Sequence, residues 1–253
     1  MQPILKVQAL SKAFKVRDKY FLRKKFQVLD NISFCLSKGE TIAIIGETGS
    51  GKSTLAKILA GAETSQNGQI LLEGKIIEDD GKRKTSCRDI RLIFQDASKS
   101  LNPGITIGKT LKEILLMNTD LNDLRCKDTI NKILLKVGLL AEHQHYYPHM
   151  FSGGQLQRVA LARALILEPK VLVLDEALSS LDPSVRAQTV NLLLKLQQET
   201  GLSYVLITHH LSLVKHMSDQ TLVLDQGRII ESGKTQTLFK QHKSKITQRL
   251  LNC

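Results

Sequence analysis

Cysteine is sparse and scattered in this chain: Cys35, Cys87, Cys126 and Cys253 form no C-x-x-C pair. That spacing supports neither a disulfide framework nor a zinc ribbon, so reduced thiols are the default. No apolar run approaches the ~18 residues needed to span a bilayer. The first residues, Met1-Gln2-Pro3-Ile4-Leu5-Lys6, lack the layout of a signal peptide. The expectation is a chain made and kept in the cytosol. Internal repeats and low-complexity segments are missing too, and 42% hydrophobic with 24% charged residues is close to the globular average, so neither disorder nor a fibrous class is suggested.

Acidic residues are in the minority, 24 against 36 Lys and Arg, for a formal charge of +12. The basic residues gather at Arg17, Lys19, Arg23, Lys24 and Lys25, at Lys82, Arg83 and Lys84, and at Lys240, Lys243, Lys245 and Arg249. Such an excess favours an anionic neighbour, nucleic acid or the inner membrane leaflet. Taken singly, each cluster is also what a solvated face looks like.

The stretch around which the rest is organised is Gly46-Glu47-Thr48-Gly49-Ser50-Gly51-Lys52-Ser53-Thr54, set between the apolar run 41–45 and helically spaced Leu55, Ile58 and Leu59. It reads as strand, loop, helix. The glycines let the backbone curl so that successive N–H groups and the helix N-terminus point at one anionic centre, the phosphates of a nucleotide. Lys52 reaches the outer phosphates, and the Ser53 hydroxyl ligates the bridging Mg²⁺. A chain of 253 residues has room for one such α/β core with a smaller lobe, not for two.

Along the chain, residues 1–40 read as paired strands, with Phe14 placed either to stack on a base or to pack in the core. Residues 69–72 and 76–77 flank Glu73-Gly74-Lys75 as a hairpin, 79–88 read as an exposed loop, and Arg91-Leu92-Ile93-Phe94 as a short strand ending at Gln95. An amide there can meet a metal or water, or simply cap. From 96 to about 149 the periodicity is helical, an inserted lobe; His143, His145 and His149 read as ordinary loop histidines rather than zinc ligands.

Ser152-Gly153-Gly154-Gln155 opens the next helix, Ser152 suiting its N-cap and the glycines leaving helical N–H groups open to an anion. Val171-Leu172-Val173-Leu174-Asp175-Glu176 then delivers two carboxylates to the C-terminal end of a buried strand. Asp175 suits Mg²⁺ held through its water shell, and Glu176 suits a general base polarising the attacking water. A helix closes at Gly201, and the strand 204–207 ends at Thr208-His209, where the imidazole can bond a γ-phosphate or cap the strand. A last hairpin around Asp225-Gln226-Gly227 and a basic helical tail from Thr235 complete the reading.

In this order, the phosphate loop, Gln95, Ser152-Gly153-Gly154-Gln155, L-V-L-D-E, Ser180-Leu181-Asp182 and Thr208-His209 resemble the full motif set of the ABC-transporter ATPase subunits over nearly the whole chain. The resemblance implies a P-loop NTPase (RecA-like) α/β core with an antiparallel β subdomain and an inserted helical subdomain. It divides residues 1–253 into core at 1–95 and 160–233, helical subdomain at 96–159 and tail at 234–253. It implies ATP hydrolysis with ATP and Mg²⁺, and a head-to-tail pair of ATPase domains with each ATP between one phosphate loop and the other chain's S-G-G-Q helix. It assigns Phe14 to base stacking, Gln95 to Mg²⁺ and coupling, Glu176 to water activation and His209 to the γ-phosphate.

Ser100-Leu101-Asn102-Pro103 and Tyr147-Pro148-His149 are similar to the oligopeptide, dipeptide and nickel importer ATPases. The stretches 118–121, 161–167 and 175–182 look most like those of transporters of cationic peptides, also linked to putrescine. That likeness implies two permeases, a second, non-identical ATPase subunit and, indirectly, a periplasmic binding protein, on the cytoplasmic face of the inner membrane. Ala177-Leu178 stands where most of the family has Pro-Thr, and His210 where Asp is usual, departures that bear on coupling rather than chemistry. The longer, in some members cysteine-rich, C-terminal extension of many oligopeptide ATPases is missing, so no cluster-binding tail is expected. The alternative is a soluble ABC ATPase acting on ribosomes or nucleic acid, favoured by charge alone. A GTPase is disfavoured because Asn131-Lys132-Ile133-Leu134 lacks the Asp of a guanine reader.

Overall fold

Three short runs of apolar residues set the frame. Thr41–Ile45 (β3), Val171–Asp175 (β8) and Ser203–Ile207 (β9) are buried at every position, as parallel strands covered on both faces must be. A computed structural model of the chain describes residues 2–17, 23–84, 88–94, 101–179 and 181–251. In it these strands pair in parallel, β3 with β9 and β9 with β8. Ile90–Phe94 (β7) extends the sheet beyond β8, Gln220–Asp225 (β10) pairs in parallel with β3, and Arg228–Lys234 (β11) folds back antiparallel on β10.

A second sheet is antiparallel, in the order β2-β1-β4-β5-β6, from Leu5–Arg17 (β1), Arg23–Leu36 (β2), Asn67–Leu72 (β4), Lys75–Asp79 (β5) and Lys82–Arg83 (β6). The register of β1 on β2 shifts between Val7 and Ala13, at bulges or irregular pairings near Ala9 and Asn31, which take positive φ. Beyond the shifts Phe14 lies opposite Phe26. Between the two sheets sits Lys52–Leu59 (α1), whose Leu55, Ile58 and Leu59 are fully buried. They share a core with Leu5 and Leu36 of one sheet and Ile42, Ile44 and Val173 of the other, each worth roughly 1.5–3 kcal/mol by burial.

Residues 79–88 are not simply an exposed loop: Lys82–Arg83 pairs with β5. Arg83 turns inward to the wholly buried Glu78 at 3.0 Å and donates to the Ile58 and Leu59 carbonyls at 3.2 and 3.0 Å. A carboxylate taken out of water needs such a partner, and the guanidinium at the same time closes the carbonyl end of α1.

The opposite face of the parallel sheet carries Pro183–Thr200 (α5), Leu211–Met217 (α6), Thr235–Lys240 (α7) and Lys245–Leu251 (α8), so the basic tail is two helices. A helical region of Ile107–Asn118 (α2), Asp123–Lys136 (α3) and Gly153–Leu165 (α4) follows β7. Thr106 and Asn122 cap the first two by accepting from Lys109 and Arg125 N–H groups. His143 is buried there, accepting from the Leu140 N–H and meeting Tyr146 and Phe151 edge-on. Among the described residues no helix is long and apolar enough to cross a membrane.

Candidate functional site

The C-terminal ends of β3, β8 and β9 lie side by side, and each delivers its polar residues to one edge of the sheet, the usual place for a ligand in such folds. After β3 the chain turns through Gly46, whose φ is 155° and whose added Cβ would stand 2.1 Å from the Leu224 carbonyl of β10. Only glycine allows the loop to pass so close to that strand. The Ser50 carbonyl accepts from the Gly227 N–H of the β10–β11 hairpin at 3.0 Å, and the Ser50 N–H donates back to Glu47 at 3.2 Å.

Lys52 enters the middle of this loop. Its Nζ donates to the Gly46 and Glu47 carbonyls at 2.7 Å each and reaches Ser50 Oγ at 3.4 Å. Burial pushes the ammonium below its ordinary pKa, while Glu176, Asp175 and Glu47 pull it back up. Ser53, one residue along α1, donates to Asp175 Oδ1 at 3.2 Å. Burial pushes the Asp175 carboxyl up from its usual range, the Ser53 hydrogen bond opposes this, and Glu176 adds to it.

Glu176 takes φ 52°, rare for a residue with a Cβ, and its N–H donates to the Ile207 carbonyl of β9 at 2.9 Å. The turn swings its carboxylate to Ser179 Oγ, which donates to it, and to His209 Nδ1 at 3.0 Å. His209 itself is exposed, with the His210 ring 4.2 Å away. Burial and His209 hold His210 below the ordinary imidazole pKa.

The structure thus brings Gly46, Glu47, Lys52, Ser53, Asp175, Glu176 and His209 together. Thr48 and Gly49 are exposed at the loop crest, Gly51 carries φ 106°, and Thr54 lies on α1. Phe14 stands apart on β1, half-exposed, with Lys12 Nζ 5.1 Å from its ring centroid, which removes the core-packing alternative. Gln95 and Ser180 lie outside the described residues.

Ser152 and Gln155 form a reciprocal cap at the start of α4: Ser152 N–H donates to Gln155 Oε1 at 2.9 Å, and Gln155 N–H to Ser152 Oγ at 3.3 Å. Ser152 and Gly153 are exposed, and Gly154 packs on Val185 of α5. These hydrogen bonds stay within the helix start. Ala177 and Leu178 are buried, their carbonyls accepting from Gln157 and Arg186 at 3.0 Å each.

Three contributors went unread in the sequence. Ser179 is three residues from Glu176, a spacing that becomes a contact only because Glu176 turns left-handed. Phe26, the partner of Phe14 across the strands, needs the shifted register to be found. Arg249 reaches the Glu47 carboxylate from α8, a pairing without any local signal.

The Ser53 hydroxyl and Asp175 carboxylate are hard oxygen donors of the kind Mg²⁺ takes, and a buried carboxylate of raised pKa beside a second one is stabilised by a cation. Among the described residues no group of three or more His, Cys, Asp or Glu could hold a metal.

Comparison with known proteins gives a consistent result. The sequence matches the ABC transporter family model over residues 29–179. It is 45% identical to the putrescine export system ATP-binding protein SapF of Escherichia coli K12, over 99% of this chain and 93% of that protein. It is 42% identical to the dipeptide transport ATP-binding protein DppF of the same strain, over 99% of this chain and 76% of that protein. Among solved structures, cbiO1 from Clostridium perfringens, part of the ABC transporter complex cbiONQ, superposes with TM-score 0.80 at 29% identity, covering 95% of this chain and 92% of that one. The fold also matches a dimeric ATP-binding cassette in a post-hydrolysis state bound to ADP and Pi, with TM-score 0.77 and 24% identity over 91% of this chain and 98% of that one.

Proposed function

This chain belongs to the ABC transporter family, as an ATP-binding subunit with ATPase activity, and from that premise we propose that it drives peptide transport through partner permeases. The observation that carries the chemistry is the convergence of Lys52, Ser53, Asp175, Glu176 and His209 at one sheet edge. Names of relatives such as the peptide transport protein SapF of Salmonella typhimurium, 44% identical, support a peptide cargo, with putrescine as the other named substrate.

In this reading the loop 46–54 cradles the ATP phosphates, Lys52 neutralises the outer ones, and Phe14 stacks on the base. Ser53, Asp175 and Gln95 would hold Mg²⁺, which would offset charge on the phosphates. Glu176 takes the proton of the attacking water, its carboxylate aimed by Ser179, and the His209 imidazole stabilises the transferred γ-phosphate. Ser152, Gly153, Gly154 and Gln155 begin a helix whose exposed start completes the ATP site of a second, non-identical ATPase subunit in a head-to-tail pair. The helical subdomain at 96–159 relays closure of that pair to two permeases at the cytoplasmic face of the inner membrane. A periplasmic binding protein supplies substrate indirectly, and residues 1–95 and 160–233 form the core.

The test is an affinity purification of the tagged chain from detergent-solubilised membranes, with ATPase activity assayed on the product. Two permeases and a second ATPase subunit should co-purify. Recovery of ribosomes or nucleic acid without membrane protein would replace transport by the soluble reading that the +12 charge favours.

A further inference from the structure

Glu47 puts a carboxylate at the mouth of a loop built to receive anions, on the exposed residue that follows Gly46. Left alone it would repel a polyphosphate. It is met by the Arg249 guanidinium of α8, 202 residues further along the chain.

The helix that brings Arg249 there is fastened at its start and along its side. The Glu231 carboxylate of β11 accepts from the Lys243 and Ser244 N–H groups at 2.8 and 3.1 Å, just ahead of α8. Leu250 and Leu251 pack against the cluster of Ile45, Val223 and Leu238 on the outer sheet face. Glu231 belongs to the same hairpin whose Gly227 N–H holds the Ser50 carbonyl. One element therefore positions both the phosphate loop and the tail that reaches back to it.

We propose that Arg249 is a positioning residue for ATP: it neutralises and fixes Glu47, so that the C-terminal helix sets the affinity of the phosphate loop for nucleotide. The proposal rests on the nucleotide-site reading above. Because the pair is half exposed, solvent screens it, and its effect on binding is about three- to fivefold rather than all-or-none.

The experiment measures ATP affinity by calorimetry on the full chain, with kcat and KM for ATP on the purified transporter complex. Arg249→Ala should raise Kd and KM about three- to fivefold with kcat within about twofold, and Arg249→Lys should restore affinity. The deficit should shrink in high salt. In a Glu47→Gln background, Arg249→Ala should change Kd by less than about twofold, since the charge it answers is gone. Arg249→Gln replaces the alanine variant if the latter fails to fold. Unchanged Kd in Arg249→Ala, or the same loss with Glu47 already neutral, overturns the proposal and leaves Arg249 a packing role. If the unsubstituted chain binds no ATP, the nucleotide-site reading itself falls, and this inference with it.

Discussion

Ser53 Oγ lies 3.2 Å from Asp175 Oδ1, joining the first turn of α1 to the end of β8 across 122 residues of sequence. The hydroxyl stabilises the ionised carboxylate, yet burial wins, and the Asp175 pKa sits above its ordinary value. A raised carboxyl pKa means that the folded state binds the proton more readily than the unfolded chain. Stability then falls as pH rises from the ordinary carboxyl range through the raised value, and the cost is fully present above it.

Asp175→Asn should therefore be more stable than the parent without ligand at neutral pH, with Tm higher by about 2–4 °C for each kcal/mol gained. Its advantage should shrink as pH is lowered through the raised Asp175 pKa. Scanning calorimetry between neutral and acid pH measures this. Mg²⁺-dependent ATPase activity should be lost in the same variant, a trade of function for stability. A variant less stable than the parent at neutral pH would show that the Ser53 hydrogen bond outweighs desolvation.

Glu176 and His209 meet at 3.0 Å but differ in what they are asked to do. Glu176→Gln keeps the size and the Ser179 contact while removing the base, so ATP binding should persist and turnover fall roughly 10²- to 10⁴-fold. His209→Ala leaves the carboxylate in place, so a smaller loss of about 10- to 100-fold in kcat is expected, the worth of one hydrogen bond to a charged group. Single-turnover ATPase assays beside nucleotide titration separate the two. Equal losses would mean that His209 acts mainly by holding Glu176.

Much of this site was legible because each motif is local. The spacing of Gly46 to Thr54 fixes strand, loop and helix together, and Val171–Asp175 is too apolar to be anything but a buried strand with carboxylates at its exit. What stayed hidden depends on contacts between distant segments. Arg83 looked like one of a solvated basic run because nothing near it shows that Glu78 is buried. Arg249 looked the same, since its partner is in the phosphate loop. Phe26 sits in a strand whose register is reset by bulges, so simple alternation cannot align it with Phe14.

Gly46 and Gly49 share a loop but not a constraint. A Cβ on Gly46 would stand 2.1 Å from the Leu224 carbonyl, whereas at Gly49 nothing lies within 4 Å and only the φ of 84° resists a side chain. Gly49→Ala should cost about 1–2 kcal/mol, the ordinary penalty of a left-handed residue. Gly46→Ala adds displacement of β10 from the loop, so it should cost about 1–3 kcal/mol more and abolish ATP binding. Denaturant melts with nucleotide titration of both variants check the order. A Gly46→Ala protein as stable as Gly49→Ala would mean that the loop and β10 part readily.

Arg83 and Glu78 place the fold under the chemistry. Glu78 is fully buried, its carboxylate held by Arg83 at 3.0 Å and by the Ser65 N–H at 2.8 Å. Arg83 also binds the last carbonyls of α1, the helix that opens with Lys52 and Ser53. Replacing Arg83 by Met removes the cap and strands a buried charge, so a loss of about 3–5 kcal/mol is expected. Adding Glu78→Gln removes that charge and should recover much of the stability, but not the cap. The double variant should therefore melt close to the parent while keeping a raised KM for ATP, because α1 is less firmly seated beneath its loop. Calorimetry and ATPase kinetics on the single and double variants read the two effects separately. If the double variant recovers KM along with Tm, the pair serves stability alone and the seat of α1 is set by the packing of Leu55, Ile58 and Leu59.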